Sequence, residues 1–219
     1  MPDNPILKID FVKHEAARYA CERWHYSKKA PVNKLVRFGI WENEEFKGVI
    51  IFGCGASATI HFQYGLKPFE MCELNRVALT KHFHPVTRMI KIAIKILRQH
   101  NPGLRLITSF ADPSYGHHGG IYQGGNWLYT GLSSPVREFY YNGSWRHATD
   151  VCKRTSKLER NQMKQRTRPG KYRYVMPLDH EMRALVTPWV KPFPKRSKWA
   201  MEAPTSQRRF DTDLAAPIS

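Results

Sequence analysis

The stretch Ser109–Gly131, S-F-A-D-P-S-Y-G-H-H-G-G-I-Y-Q-G-G-N-W-L-Y-T-G, constrains this chain more than any other. Glycine weakens both helices and strands, so packing alone does not call for a run this rich in glycines, aromatics and polar groups. Leu104 to Phe110 alternates as a strand. Ala111-Asp112-Pro113 stops it, because proline cannot donate to a ladder and restricts the residue before it. Gly119 to Gln123 reads as a short helix closed by Gly124-Gly125, and a new strand runs from Trp127 through Tyr129. A strand ending in polar residues, a short helix carrying Tyr122 and a following strand form a crevice in an open α/β sheet, so function is expected at that strand end.

The chain of 219 residues suits one domain plus appendages. Its 35 Lys and Arg against 18 Asp and Glu leave a formal charge of +17, which points to a polyanionic partner such as nucleic acid. No long basic amphipathic helix supports a membrane surface instead. Cys21, Cys54, Cys72 and Cys152 are scattered without a C-x-x-C pair, which suits reduced cysteines better than a disulfide scaffold or zinc ribbon. The N-terminus lacks the basic and apolar regions of a signal peptide, and no apolar run reaches the roughly 18 residues of a membrane span. A soluble, intracellular protein is the expectation.

Ile6 to Val12 reads as a first strand. Ala17, Ala20, Cys21 and Trp24 then fall at i, i+3, i+4 and i+7, the stripe of a helix starting near His14. That helix delivers Trp24-His25-Tyr26-Ser27-Lys28-Lys29 to its C-terminal end, where a packed aromatic and a basic last turn are the structural alternative to a functional role. Val36–Trp41 and Phe46–Phe52 read as strands joined by an exposed acidic hairpin connection, Glu42 to Glu45. The following Gly53 to Ser57 has the wrong spacing for a Walker loop and reads as a bend. Ala58 to Glu70 is a loop long enough to be functional. Met71 to Leu79 is a strand that carries Glu73, Asn75 and Arg76, which either pair as a Glu73–Arg76 ion pair or border the site.

His82 to Arg88 opens the clearest helix, with Met89, Ile90, Ala93, Ile94 and Leu97 on its apolar face and Asn101-Pro102-Gly103 ending it. The backbone N–H array at its start, the Thr87 hydroxyl and Arg88 form a candidate phosphate or pyrophosphate site. His82 and His84 are a candidate metal pair with no third ligand nearby in sequence, so a metal requirement cannot be derived.

This element order is that of a GNAT (Gcn5-related N-acetyltransferase)-like fold, a mixed α/β sheet flanked by helices. W-H-Y-S-K, C-E-L-N-R-V-A-L, P-V-T-R-M, the Ser109–Gly131 block and K-Y-R-Y resemble the phage Mom family of adenine methylcarbamoylation proteins, from about Trp24 to about Tyr174. The resemblance implies a transferase that converts adenine in double-stranded DNA to N6-(carbamoylmethyl)adenine and so protects phage DNA from host restriction. It implies a cytoplasmic location in a bacterial host, and a small-molecule donor, acetyl-CoA or a related acyl donor. An acetyl transfer would leave an acetamide rather than a carbamoylmethyl amine, so the donor stays open.

By motif, the family's functional positions fall on His25, Tyr26, Arg76, Thr87, Asp112 and Tyr122. Threonine stands at position 87 where relatives often carry serine, and His84-Pro85-Val86-Thr87-Arg88 replaces the glycine-rich pyrophosphate loop of acetyltransferases. The candidate catalytic set is Tyr122, Asp112, His25, Tyr26, Glu73 and His118. Tyr122 lies where acetyltransferases place a general acid. Asp112 accepts from the adenine amine, orients His118, binds a metal or simply forms an Asp-Pro turn. Arg76, Val77, Thr87, Arg88 and Ser109 are the candidate cofactor-binding set. Access to adenine N6 calls for a flipped base, with Trp24, Tyr26, Tyr115 and Trp127 as candidate stacking rings.

From Cys152 to Arg173 nine basic residues face the single acid Glu159: Lys153, Arg154, Lys157, Arg160, Lys164, Arg166, Arg168, Lys171 and Arg173. The first seven are the candidate DNA-binding set. The expected organisation is one catalytic domain, 1–178, that includes this basic segment 152–173, and a partly flexible Pro-rich tail, 179–219, with Trp189, Phe193 and Trp199 as anchors. Two other functions fit the same sequence: an acetyl-CoA-dependent N-acetyltransferase acting on RNA or protein, and a basic DNA-binding module without chemistry.

Overall fold

The computed structural model describes residues 4–32, 34–54 and 59–195. Parts of three expectations, the bend at 55–57, the start of the loop at 58 and the tail beyond 195 with Trp199, lie outside the described residues. The chain divides into two units.

The first unit comprises Met1–Ala111, Gly119–Leu132 and Tyr172–Phe193. Its sheet contains β1 (Leu7–Phe11), β2 (Leu35–Glu42), β3 (Glu45–Gly53), β4 (Met71–Leu79), β5 (Leu106–Ala111), β6 (Leu128–Leu132) and β10 (Tyr172–Pro177). The spatial order is β1-β2-β3-β4-β5-β10-β6, so the last strand enters between two earlier ones. β2 and β3 meet through Asn43 and Glu44, both at positive φ (48° and 67°), as a two-residue turn matched to strand twist requires. Among the described strands only β4 and β5 run parallel. They pair at Met71, Cys72 and Glu73 opposite Leu106, Ile107 and Thr108, and no further. β4 continues to Leu79 and β5 to Ala111, so the two strands part after Glu73.

Alternation along β3 decides what covers each face. Val49 and Ile51, with Ala78, pack against Ala17, Ala20 and Cys21 of α1 (His14–Trp24). Ile50 and Phe52 face the other way, into a core with Met89, Ile90, Ala93, Ile94 and Leu97 of α2 (Val86–His100). The short α3 (Gly120–Gln123) contributes Tyr122 to that second core. α6 (His180–Val186) buries Met182 and Val186 with Tyr64, Met71, Leu106 and Val175. The boundary expected at residue 178 therefore falls before a helix that packs into the first unit. Trp189 meets Tyr64 and Phe193 stacks on Tyr174, with ring centroids 5.3 and 6.4 Å apart.

Two irregularities shape the sheet. Ile51 pairs with Arg76 but Phe52 pairs with Leu74, which leaves Asn75 as a bulge in β4. In β3, Gly48 has φ +132° beside another register shift, and a Cβ there would lie 2.0 Å from the Ala78 carbonyl oxygen.

The second unit contains Asp112–His118 and Ser133–Lys171. It holds a sheet of order β8-β7-β9: β7 (Val136–Tyr141), β8 (Ser144–His147) and β9 (Gln165–Arg168), of which β9 lies in the stretch read from sequence as basic, Cys152 to Arg173. Two short helices, α4 (Ala148–Cys152) and α5 (Lys157–Gln162), lie between β8 and β9 in the chain. Ser156 and Glu159 close a capping box at the start of α5. Among the described residues no helix is long and apolar enough to cross a membrane.

Gly48→Ala tests the fold directly. The clash is with backbone, which no rotamer relieves, and the φ is unfavourable for alanine, so urea unfolding should show a loss of about 2 kcal/mol or more.

Candidate functional site

Where β4 and β5 part, Ser109 of β5 places its hydroxyl 2.8 Å from the Leu74 carbonyl of β4 and 2.7 Å from the Tyr122 phenol. A carbonyl only accepts, so the Ser109 hydrogen goes to Leu74, and Tyr122 donates its own hydrogen to Ser109 Oγ. Ser109 is 1% exposed and Tyr122 8%. Burial, with the charges of Tyr26, Glu73 and Tyr174 nearby, pushes the phenol up to about 12. Tyr26 at the end of α1, Glu73 in β4, Ser109 in β5 and Tyr122 in α3 therefore converge, although the sequence separates them widely.

α3 is held by its neighbour in β10. Gly119, at φ +86°, lies against the Tyr174 ring, where a Cβ would stand 2.3 Å from Cε2. Gln123 Nε2 donates to the Tyr174 hydroxyl at 3.0 Å, and the Tyr122 and Tyr174 ring centroids are 5.1 Å apart. Trp127 and Tyr129 pack in the same cluster. Tyr174 and Gln123 were not singled out from sequence; the K-Y-R-Y motif was the available signal for the first.

At the end of α1, the Ser27 N–H points into His25 Nδ1 at 3.1 Å, and Ser27 Oγ lies 2.8 Å from the same atom. Nδ1 thus carries a lone pair, and the hydrogen of the neutral ring sits on Nε2. The His25 and Tyr26 ring centroids are 4.2 Å apart.

The candidate cofactor set is not gathered in one place. Arg76 turns to the α1 face, where its charge reaches Cys21, and gives Nη1 to the Asn75 carbonyl at 2.7 Å. Among the described residues its buried Nε has no hydrogen-bond partner. Val77 packs in the opposite core, beneath α2. Thr87 and Arg88 lie in the first turn of α2, and Arg88 Nη1 donates to His84 Nδ1 at 3.3 Å.

Glu42, read from sequence as part of an exposed connection, is buried at 4% exposure. Its carboxylate accepts from the Phe83 N–H (2.8 and 3.1 Å) and the His84 N–H (2.7 Å) immediately before α2. Burial opposes its charge, but these amides, with His84 and His82, hold it below the usual carboxylate range. The histidine pair is engaged as well: His84 Nε2 reaches the Pro5 carbonyl at 2.6 Å and His82 Nδ1 the Thr80 carbonyl at 2.7 Å. Among the described residues no group of three or more His, Cys, Asp or Glu is spaced to hold a metal ion. An acyl-CoA brings a diphosphate, and in the loop before α2 the Phe83 and His84 amides are already held by the Glu42 carboxylate.

In the second unit, Asp112 Oδ1 caps Ser114 N–H at 3.0 Å, while Oδ2 pairs with Arg168 at 2.9 Å and Lys171 at 3.5 Å. The Asp-Pro turn is thus present, and Asp112 anchors buried charge besides. Arg168 also meets Glu138 at 3.3 Å, and Arg166 pairs with Glu138 at 2.8 Å while stacking on Trp145. Arg160 donates to the Thr155 carbonyl. These three arginines of the candidate DNA-binding set are tied into the unit, whereas Lys153, Arg154, Lys157 and Lys164 are exposed, as are Arg137 and Arg146. His118, half-buried, follows the turn.

A mixed sheet with one parallel pair that parts, a C-terminal strand inserted beside it, and a helix after the parted strand define a protein of the acetyltransferase-like GNAT class. Among solved structures with this fold are an IAA acetyltransferase from Bacillus cereus (TM-score 0.45, 11% identity, 79% of this chain and 100% of that one) and an aminoglycoside acetyltransferase in complex with coenzyme A and kanamycin (0.49, 9%, 82% and 98%). More particularly, the chain belongs to the Mom protein family, whose model matches residues 6–195. It is 27% identical over 146 residues to the methylcarbamoylase Mom of Escherichia phage Mu, a match spanning 64% of this chain and 60% of that relative's length.

The Tyr122 phenol titrates near 12 in the fold against an ordinary value of 10. Folding raises this pKa, so its contribution is complete below the ordinary value and lost as pH rises through the folded one. The two-unit difference corresponds to about 2–3 kcal/mol. Tyr122→Phe should remove that share of the alkaline loss in urea melts taken across this window.

Proposed function

We propose that this chain is a DNA-modifying transferase that converts adenine to N6-(carbamoylmethyl)adenine and thereby shields phage DNA from restriction enzymes. One observation carries the reading: a chain of the Mom family buries a protonated tyrosine, hydrogen-bonded to Ser109, at the point where β4 and β5 part. Adenine N6 is a donor on the major-groove edge, so a substituent there changes what a restriction enzyme reads.

The target base leaves the duplex to reach this site. The bond from N6 to the incoming methylene carbon forms as that carbon's bond to its leaving group breaks. Tyr122 holds the proton that the leaving group takes; a phenol titrating near 12 keeps it at all physiological pH values. Glu73 receives the proton that N6 sheds and returns it to the phenolate. His25, with its hydrogen on Nε2, serves as a hydrogen-bond donor and not as a base at that atom. Ser109 positions the phenol. The second unit supplies the electrostatic partner for the phosphate backbone through Lys153, Arg154, Lys157 and Lys164, while Asp112 and Arg168 keep their segments in place.

Mass spectrometry of nucleosides from plasmid DNA of expressing cells should show deoxyadenosine with the carbamoylmethyl mass. Tyr122→Phe should lower that signal by about 100-fold or more with the protein still folded. An unmodified nucleoside pool from cells holding soluble wild-type protein would sink the reading.

DNA binding should weaken linearly in log–log with salt. Replacing Lys153, Arg154, Lys157 and Lys164 together by alanine should reduce the slope by about 3–4, and an unchanged slope would remove this surface from the DNA contact.

A further inference from the structure

We propose that the Glu42 carboxylate takes the place of a donor's phosphate at the entry to α2, so that the donor this chain accepts brings no diphosphate there and Glu42 turns diphosphate-bearing donors away. The inference rests on the group-transfer reading only in supposing a donor.

Most of the amide array that this helix entry could offer an anion is already committed, the Val86 and Thr87 amides being the remainder. Phe83 and His84 give theirs to Glu42. Pro85 has none, and Arg88 N–H donates to the Pro85 carbonyl at 3.0 Å. Four of the six positions from 83 to 88 therefore have no backbone donor to give.

The carboxylate is also built in rather than merely resting there. Glu42 ends β2, where its partner across the strand pair is Leu7 of β1. Asn43 beside it exchanges two hydrogen bonds with Ile6, through its amide at 3.0 Å and its side-chain oxygen at 2.7 Å. His84 reaches Pro5 of the same segment, and Arg88 reaches His84. Swinging Glu42 aside to admit a phosphate breaks the edge of the sheet and leaves a buried carboxylate without its donors, while leaving it in place sets like charges side by side in a buried site.

A protein of formal charge +17 attracts any polyanion, so heat of binding alone does not test this. The probe is a 15N-resolved titration of the full chain, following the Phe83 and His84 amide resonances as coenzyme A, acetyl-CoA or inorganic pyrophosphate is added at physiological salt. In the wild type both resonances should stay in place to millimolar ligand. In Glu42→Gln, which keeps an acceptor but loses the charge, pyrophosphate should move them with an apparent affinity at least ~10-fold tighter. A saturable shift of both amides by coenzyme A in the wild type overturns the proposal, and so does a folded Glu42→Gln that gains nothing. The wild-type titration decides the matter even where the variant does not fold. Because it reads binding and not product, its failure leaves the nucleoside assay untouched.

Discussion

Once β4 and β5 stop pairing after Glu73, the Leu74 carbonyl has lost its ladder partner on that side, and a buried carbonyl without a donor is costly. The Ser109 hydroxyl supplies the donor. It then has only its lone pairs to offer, so the Tyr122 phenol must donate to it. One side-chain hydrogen bond thus lets two strands diverge inside a protein, fixes which way a phenol points its hydrogen, and keeps that hydrogen in a site where burial raises its pKa. Gly119, Gln123 and Tyr174 serve the same end from below, since α3 can carry Tyr122 into the opening only if its N-cap backbone passes against the Tyr174 ring.

The same accounting of buried polar groups explains the charged residues that look out of place. Glu42 is buried because it has two amides to accept from, and those amides lie before a helix whose N-cap is a proline without a side-chain acceptor. Asp112 is buried because Arg168, Lys171 and the Ser114 amide surround it. Such pairs contribute little net stability when complete, yet removing one member strands a charge. They are anchors whose value lies in position. In a chain this basic, acids that are buried and fully matched decide which of the arginines remain available to a polyanion.

Much of the fold was legible along the chain. The 3.6-residue stripes announced α1 and α2, and alternation placed β2 to β5 within a residue or two, because those patterns report which face is buried. The glycine-rich block announced α3 and the strand after it. The bulge at Asn75 was not legible, since a bulge depends on what the neighbouring strand presents. The β7–β9 sheet was hidden as well, because its strands are only four to six residues long and β9 sits in a run of basic residues that looks like a loop. Arg166 and Arg168 read as phosphate contacts for the same reason: their acidic partners, Glu138 and Asp112, stand 28 and 56 residues away.

By itself the amino-acid order determined the local elements, the chemical character of the Ser109–Gly131 block and the family that its motifs mark, all of which depend on residue type at short spacing. Only the tertiary structure decided which polar groups meet. That Tyr26, Glu73 and Ser109 converge on Tyr122, that Arg76 turns to the other face of the sheet, and that Glu42 fills the entry to α2 are consequences of sheet order and register. Those are set by long-range burial and hydrogen bonding, which a short stretch of sequence does not contain.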